Sequence, residues 1–258
     1  RVRSGSNLVA TSGQFAVQAT RPLFTSSIFG GAMVINSVSR SFLVLTLSTA
    51  PASGLSVVFD LFSTGSSCTF SVDPGRPGGW GSSVVLIGNG NIFSVIFYVK
   101  CSVAGGSVSI RAQGRTEVAV VVTSSNFAVQ TAAPTLVSSV VGSALLIDDT
   151  SDSSFSLTID TALGTEVALI FDLSSDGAAC QYSKLAQPWV DIVSVSLTGS
   201  TNSLVHSFFI KCSSASGKVV VMAHGRLGTE LIAVSGAFAV LAAQPILSSD
   251  VTGGSLLA

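Results

Sequence analysis

Phe127-Ala128-Val129-Gln130-Thr131-Ala132-Ala133-Pro134 is the stretch that organises the chain. Its core occurs three times. Phe15-Ala16-Val17 precedes Pro22 and Gly30, Phe127-Ala128-Val129 precedes Pro134 and Gly142, and Phe238-Ala239-Val240 precedes Pro245 and Gly253. An arginine stands twelve residues before each Phe, at Arg3, Arg115 and Arg226. Between copies the rest of a unit also repeats. Phe59-Asp60-Leu61 and Cys68 return 112 positions on, at Phe171-Asp172-Leu173 and Cys180, and Lys100-Cys101-Ser102 returns at Lys211-Cys212-Ser213. The chain is therefore two repeats of about 111 residues plus an excess. A fraction of a repeat cannot bury its own apolar face, so the excess needs a partner.

Outward from that element the pattern is that of strands. Phe42–Leu47, Leu55–Leu61, Val84–Ile87, Ile92–Lys100, Val108–Gln113 and Glu117–Thr123 are short and rich in Val, Ile, Phe, Ser and Thr. In the second unit Phe155–Asp160, Val167–Leu173, Ile192–Leu197, Leu204–Cys212, Lys218–Ala223 and Glu230–Val234 match them. Gly, Asn, Ser and Pro punctuate the runs, and none keeps a helical period with caps at both ends. The expected fold is all-β, with two tandem antiparallel β-sandwiches. The expected boundaries are a terminal strand segment 1–21, sandwiches 22–133 and 134–244, and an orphan first strand 245–258. The Pro-marked junction leaves almost no flexible spacer, which favours a fixed angle between neighbours.

Composition excludes several classes. Charged residues are 10% of the chain, against roughly 25% in ordinary soluble proteins, and the net charge is −1. Nucleic-acid binding needs clustered Lys and Arg, which are absent. Mean hydropathy is high at +0.66, yet no apolar run reaches the ~18 residues of a membrane helix. Apolar surface in so charge-poor a chain is expected to be covered by other copies or by glycans. No Asn-x-Ser/Thr sequon occurs, so O-linked glycans on the abundant Ser and Thr are the modification to expect.

Four cysteines fall two per unit, separated by 33 residues (Cys68, Cys101) and 32 (Cys180, Cys212). One disulfide per unit is the simplest pairing, and other pairings stay formally open. Such bonds place the chain in an oxidising compartment, extracellular or at the cell surface. The bridge is expected to pin two strands or two sheets. With two His and no Cys-x-x-Cys pair, zinc is not expected, and no cofactor is.

No catalytic constellation stands out. His206 and His224 have no histidine counterparts in the first unit, where Ser94 lies near the first position and Gln113 replaces the second. Asp60 and Asp172 belong to different units, so they do not form a hydrolase pair. Arg115 and Arg226 are their expected partners. Asp148, Asp149 and Asp152 form the one acidic cluster; a solvated turn is the expected reading over calcium. Trp80, in the Pro74–Trp80 loop, could stack on a sugar, but a core or rim place is the expected one; the counterpart loop, Gln187-Pro188-Trp189, is shorter.

The unit resembles immunoglobulin-like modules in size and strand count. Two such units with unpaired terminal strands resemble strand-complemented, pilus-like extracellular filaments. That resemblance implies subunits meeting head to tail, by strand exchange or in a covalent array, as a homopolymer. The strand residues expected to assemble are Leu8, Val9, Phe15 and Val17 at one end and Pro245, Ile246, Leu247, Leu256 and Leu257 at the other. Pro245–Ala258 is the favoured donor, and Leu8–Val17 the alternative. The competing function is a cell-surface adhesin or carbohydrate-binding stalk of tandem sandwiches.

Overall fold

The computed structural model describes residues 12–39, 42–88, 91, 93–115, 120–149, 154–185, 194–198, 205–226 and 231–246. Every regular element among them is a strand, as the alternating runs require. The first sandwich holds β1 (Leu23–Thr25), β2 (Ala32–Val34), β3 (Leu43–Thr46), β4 (Ser56–Thr64), β5 (Cys68–Ser71), β6 (Ser83–Ile87), β7 (Ser94–Cys101), β8 (Gly105–Gly114), β9 (Val121–Thr123) and β10 (Phe127–Gln130). The second repeats it with β11 (Thr135–Ser138), β12 (Ala144–Leu146), β13 (Ser154–Thr158), β14 (Ala168–Asp176), β15 (Cys180–Ser183), β16 (Ser194–Thr198), β17 (Val205–Cys212), β18 (Ser216–Gly225), β19 (Ile232–Val234) and β20 (Phe238–Leu241).

In each unit a four-stranded sheet packs on a six-stranded one. The first unit has the orders β1-β3-β7-β5 and β2-β10-β8-β4-β6, with β9 beside β8. The second has the same two orders. All pairings are antiparallel except β2 with β10 and β12 with β20, which are parallel. The chain thus enters each unit on one sheet (β1) and switches to the other (β2). At the switch sit Gly30 and Gly142, with φ of 82° and 78°. That left-handed backbone is why the repeat keeps glycine there. Asn36 and Asp148, just past β2 and β12, also adopt positive φ (58° and 57°). Asn and Asp tolerate this conformation best among residues with a Cβ.

Period-two burial fills the space between the sheets. Leu43, Leu45, Phe59, Leu61, Phe97, Val99, Val108 and Ile110 are buried in the first core. Phe155, Leu157, Phe171, Phe208, Ile210, Val219 and Val221 are buried in the second. Phe97 contacts both Phe24 and Phe70 edge-on, at ring-centroid distances of 6.0 and 5.9 Å, a favoured aromatic geometry.

The disulfides are Cys68–Cys101 and Cys180–Cys212. Each joins directly opposite residues of adjacent strands, β5 to β7 and β15 to β17. Of the two roles expected for the bridge, pinning strands is the one observed; it does not link the two sheets. The reason is local. β5 is a four-residue edge strand with a single strand neighbour, β7. Four residues of ladder hold an edge weakly, and the covalent bond anchors it.

Short strands account for most differences from the sequence reading. The three- and four-residue strands β1, β2 and β5 give too few alternations to declare themselves. The expected strand over Glu117–Thr123 is observed only at Val121–Thr123, and 116–119 lie outside the described residues. Ile92–Lys100 shifts to Ser94–Cys101.

Removing the first bridge as a Cys68→Ala/Cys101→Ala pair should cost the first sandwich about 3–4 kcal/mol, the chain-entropy value for a loop of this size. Urea unfolding followed separately for each sandwich should show the second unchanged.

Candidate functional site: the junction between sandwiches

Strand β10 is buried at all four residues. A strand at the surface of one sandwich normally buries alternate residues only. Here the alternate faces serve two bodies. Phe127 and Val129 lie in the first core. Ala128, with Ala32 of neighbouring β2, joins the apolar cluster of the second sandwich, which also holds Ile159, Val167, Leu169 and Leu231. Small residues on the outer face let one sandwich seat closely on the next.

Gln130 is also fully buried, and a buried amide must be bonded. Its Nε2 donates to the carbonyl oxygen of Thr161 at 3.2 Å, and its Oε1 accepts the Thr161 N–H at 2.9 Å. The side chain thus binds the next sandwich as one more peptide unit would. The Thr131 backbone N–H donates to Asp160 Oδ1 at 3.2 Å, and its hydroxyl donates to Asp160 Oδ2. Asn126 Nδ2 donates to Glu166. The Gly164 N–H donates to the Gly106 carbonyl at 2.8 Å. The approach is close enough that a Cβ on Gly106 would stand 2.0 Å from the Ala162 oxygen.

The same clamp recurs 112 positions earlier. Gln18 Nε2 donates to the Thr49 carbonyl at 2.9 Å, and Gln18 Oε1 accepts the Thr49 N–H at 3.0 Å. Ser48 replaces Asp160, its hydroxyl accepting from the Ala19 and Thr20 N–H groups at 2.9 and 3.1 Å. Residues before β1 therefore grip the first sandwich as the end of β10 grips the second. Their outer side differs. Phe15 is 75% exposed and Val17 71%, whereas Phe127 and Val129 are fully buried. Pro245 and Ile246 are exposed as well; Leu8, Val9, Leu247, Leu256 and Leu257 lie outside the described residues. The sequence reading missed Gln130 and Thr161. Their signal was present in the shared Phe-Ala-Val-Gln of the first two copies and in the paired Ser48-Thr49-Ala50 and Asp160-Thr161-Ala162.

The expected ion pairs form. Arg115 donates Nη2 to Asp60 Oδ1 at 2.6 Å and Nε to both oxygens at 3.2 Å. Arg226 holds Asp172 through Nε, at 3.1 Å to Oδ2, and through Nη2. Hydrogen bonding from the guanidinium holds both carboxyls below the usual range, with its charge adding to the effect. Asp148 pairs with Lys211 at 3.3 Å and closes the turn after β12; Asp152 is outside the described residues. His206 sits on β17 opposite Leu157 of β13. Burial, then the charge of Lys184, lowers its pKa. His224 lies on β18, cross-strand from Asp172 and exposed. Trp80 is half-buried, in a loop tied by reciprocal Phe70–Gly81 backbone bonds of 2.8 Å. Trp189 lies outside the described residues.

No family model and no curated protein matches the chain. Solved structures do resemble it. An Escherichia coli adhesin, FdeC, is 16% identical over 88% of this chain and 66% of its own, with a TM-score of 0.35. The D00-D0 domain of intimin is 10% identical over 85% of this chain and all of its own, at 0.31. Domains 5–6 of the S-layer protein SbsC are 14% identical over 86% and 99%, at 0.25.

Two outcomes follow from the site. Gly106→Ala should destabilise the two-sandwich chain by about 1–3 kcal/mol, the usual penalty of overpacking. Gly217→Ala, at the matching place in the second sandwich with nothing within 4 Å, should stay within ~0.5 kcal/mol; paired thermal melts decide. For the ion pairs, a carboxyl lowered on folding stabilises above its unfolded pKa, and that gain is lost as pH falls through the lowered value. The melting difference between the native chain and an Arg115→Gln/Arg226→Gln variant should thus be full near neutral pH and shrink as the pH falls below the ordinary carboxylate range.

Proposed function

We propose that this chain is a rigid stalk segment of an extracellular or surface-attached protein, with tandem β-sandwiches spacing and presenting what they carry and doing no chemistry themselves. One observation carries the reading: the Gln clamp that fastens the junction between the sandwiches, Gln130–Thr161, recurs where the segment before β1 meets the first sandwich, at Gln18–Thr49. A junction with buried, reciprocal hydrogen bonds and apolar contact fixes the angle between neighbours, and repeating it makes a regular array. The disulfides support an oxidising location. The same reading extends to the adhesin class, with the sandwiches as spacer beneath a binding module. A role for Trp80 in stacking on sugar has less behind it, because the side chain is half-buried in a tied loop.

The second reading is a subunit of an extracellular filament, with O-linked glycans helping to keep its charge-poor face soluble. The exposed Phe15 and Val17 favour it, since they are positions that the repeat elsewhere buries.

Small-angle scattering distinguishes a fixed rod from loosely linked beads. The chain should give a radius of gyration well above the ~18 Å of one compact domain of this length, with a narrow distance distribution. Insertion of four glycines after Thr131 should broaden that distribution. A native chain that already scatters like the insertion variant would remove the stalk reading.

A further inference from the structure

A cavity of about 380 Å³ lies between Phe15–Gln18 and the end of the first sandwich. Its floor includes Leu55, Val57 and Val120, all half-buried. The counterparts in the second sandwich are Val167, Leu169 and Leu231, each at most 1% exposed. They share one buried apolar cluster with Ala128 of β10 and Ala32 of β2, the two residues that the first sandwich contributes to it. At the first sandwich, Ala16 stands in for Ala128. Nothing among the described residues stands in for Ala32. The cavity is the place of a β2-type strand.

We propose that this cavity docks the segment Gly253–Leu257 of a second copy of the chain. Three observations select that occupant. Gly253-Gly254-Ser255-Leu256-Leu257 is the third copy of the strand that does this work at the internal junction, after Gly30-Gly31-Ala32-Met33-Val34 and Gly142-Ser143-Ala144-Leu145-Leu146. The partner edge is open: among the described residues, 12–18 make no backbone–backbone hydrogen bond. The register is set twice within the chain, where β2 pairs in parallel with β10 (Ala32↔Ala128, Met33↔Val129, Val34↔Gln130) and β12 with β20 in the same way. Transferred to the docked copy, it sets Ser255 beside Ala16, Leu256 beside Val17 and Leu257 beside Gln18.

Alternation then assigns the side chains. Ser255 and Leu257 take the places of Ala32 and Val34, both packed on the second sandwich at the internal junction. They face Leu55, Val57 and Val120. Leu256 takes the place of Met33, which is buried in its own sandwich's core, and covers the exposed Val17. The contact is heterologous, so each copy both donates and receives, and it propagates head to tail. It rests on the same junction geometry as the stalk reading and adds a binding site to it.

The experiment is sedimentation of the full chain over a range of concentrations. The average mass should rise with concentration. Leu257→Asp, beyond β20, should abolish donation, and Val57→Lys should abolish reception, so each variant alone stays monomeric. A mixture of the two should form a one-to-one dimer and nothing larger, because one intact donor meets one intact receiver. Ala16→Asp lies outside the strands of the sandwich and should behave as Val57→Lys does, which separates lost docking from lost folding. A native chain that is monomeric throughout overturns the proposal, and so does self-association that these substitutions leave unchanged. Either failure leaves the scattering of the dilute monomer, and with it the stalk reading, untouched.

Discussion

Burial of β10 on both faces is the constraint from which the rest of the molecule follows. Its inward residues, Phe127 and Val129, complete one core, and its outward residues, Ala128 and Gln130, belong to the surface of the next. One strand is thereby a structural member of two bodies. The inward positions must be large and apolar to fill a core. The outward ones must be small, or must carry a full set of hydrogen bonds, because they are buried against another sandwich's backbone. Phe-Ala-Val-Gln meets both demands in four residues. Gly106 meets a third, since any side chain there would strike the Ala162 carbonyl.

The low charge of the chain has a physical place in this arrangement. Charged residues are costly at faces that end up buried, and at the junction the facing ends of the two sandwiches are such faces. Several of the charges that remain are engaged: Arg115 with Asp60, Arg226 with Asp172, Lys211 with Asp148, and Asp160 with Thr131. The paired arginines stand just past β8 and β18, bridging to β4 and β14. There they tie the central strands of the larger sheet together on the side away from the core. Asp148 is as much a turn residue as an ion-pair partner, because its counterpart Asn36 adopts the same left-handed backbone.

Much of the fold is legible in the residues. Alternation in runs such as Phe59-Asp60-Leu61 declares strands, the 112-residue offset declares two equal units, and matched cysteines make one bridge in each the simplest pairing. The three-residue strands are not legible, since so short a segment carries no period. The disulfide's place within one sheet is not legible either, because spacing along the chain carries no information about which strands become neighbours. Gln130 was hidden for a related reason. A glutamine after three apolar residues looks like the end of a strand, and only the position of Thr161 in space makes it a clamp.

The amino-acid pattern alone determined the all-β class, the two-fold repetition, two cysteines in each unit and the surplus of one strand element, because periodicity, count and composition are properties of the linear chain. The tertiary structure decided which face of each strand meets which body. It showed that the element shared between repeats is the junction itself, and that one sandwich end is covered where the other has a cavity. Those are relations between residues 30 or more positions apart, and they come into being only when the sheets have packed.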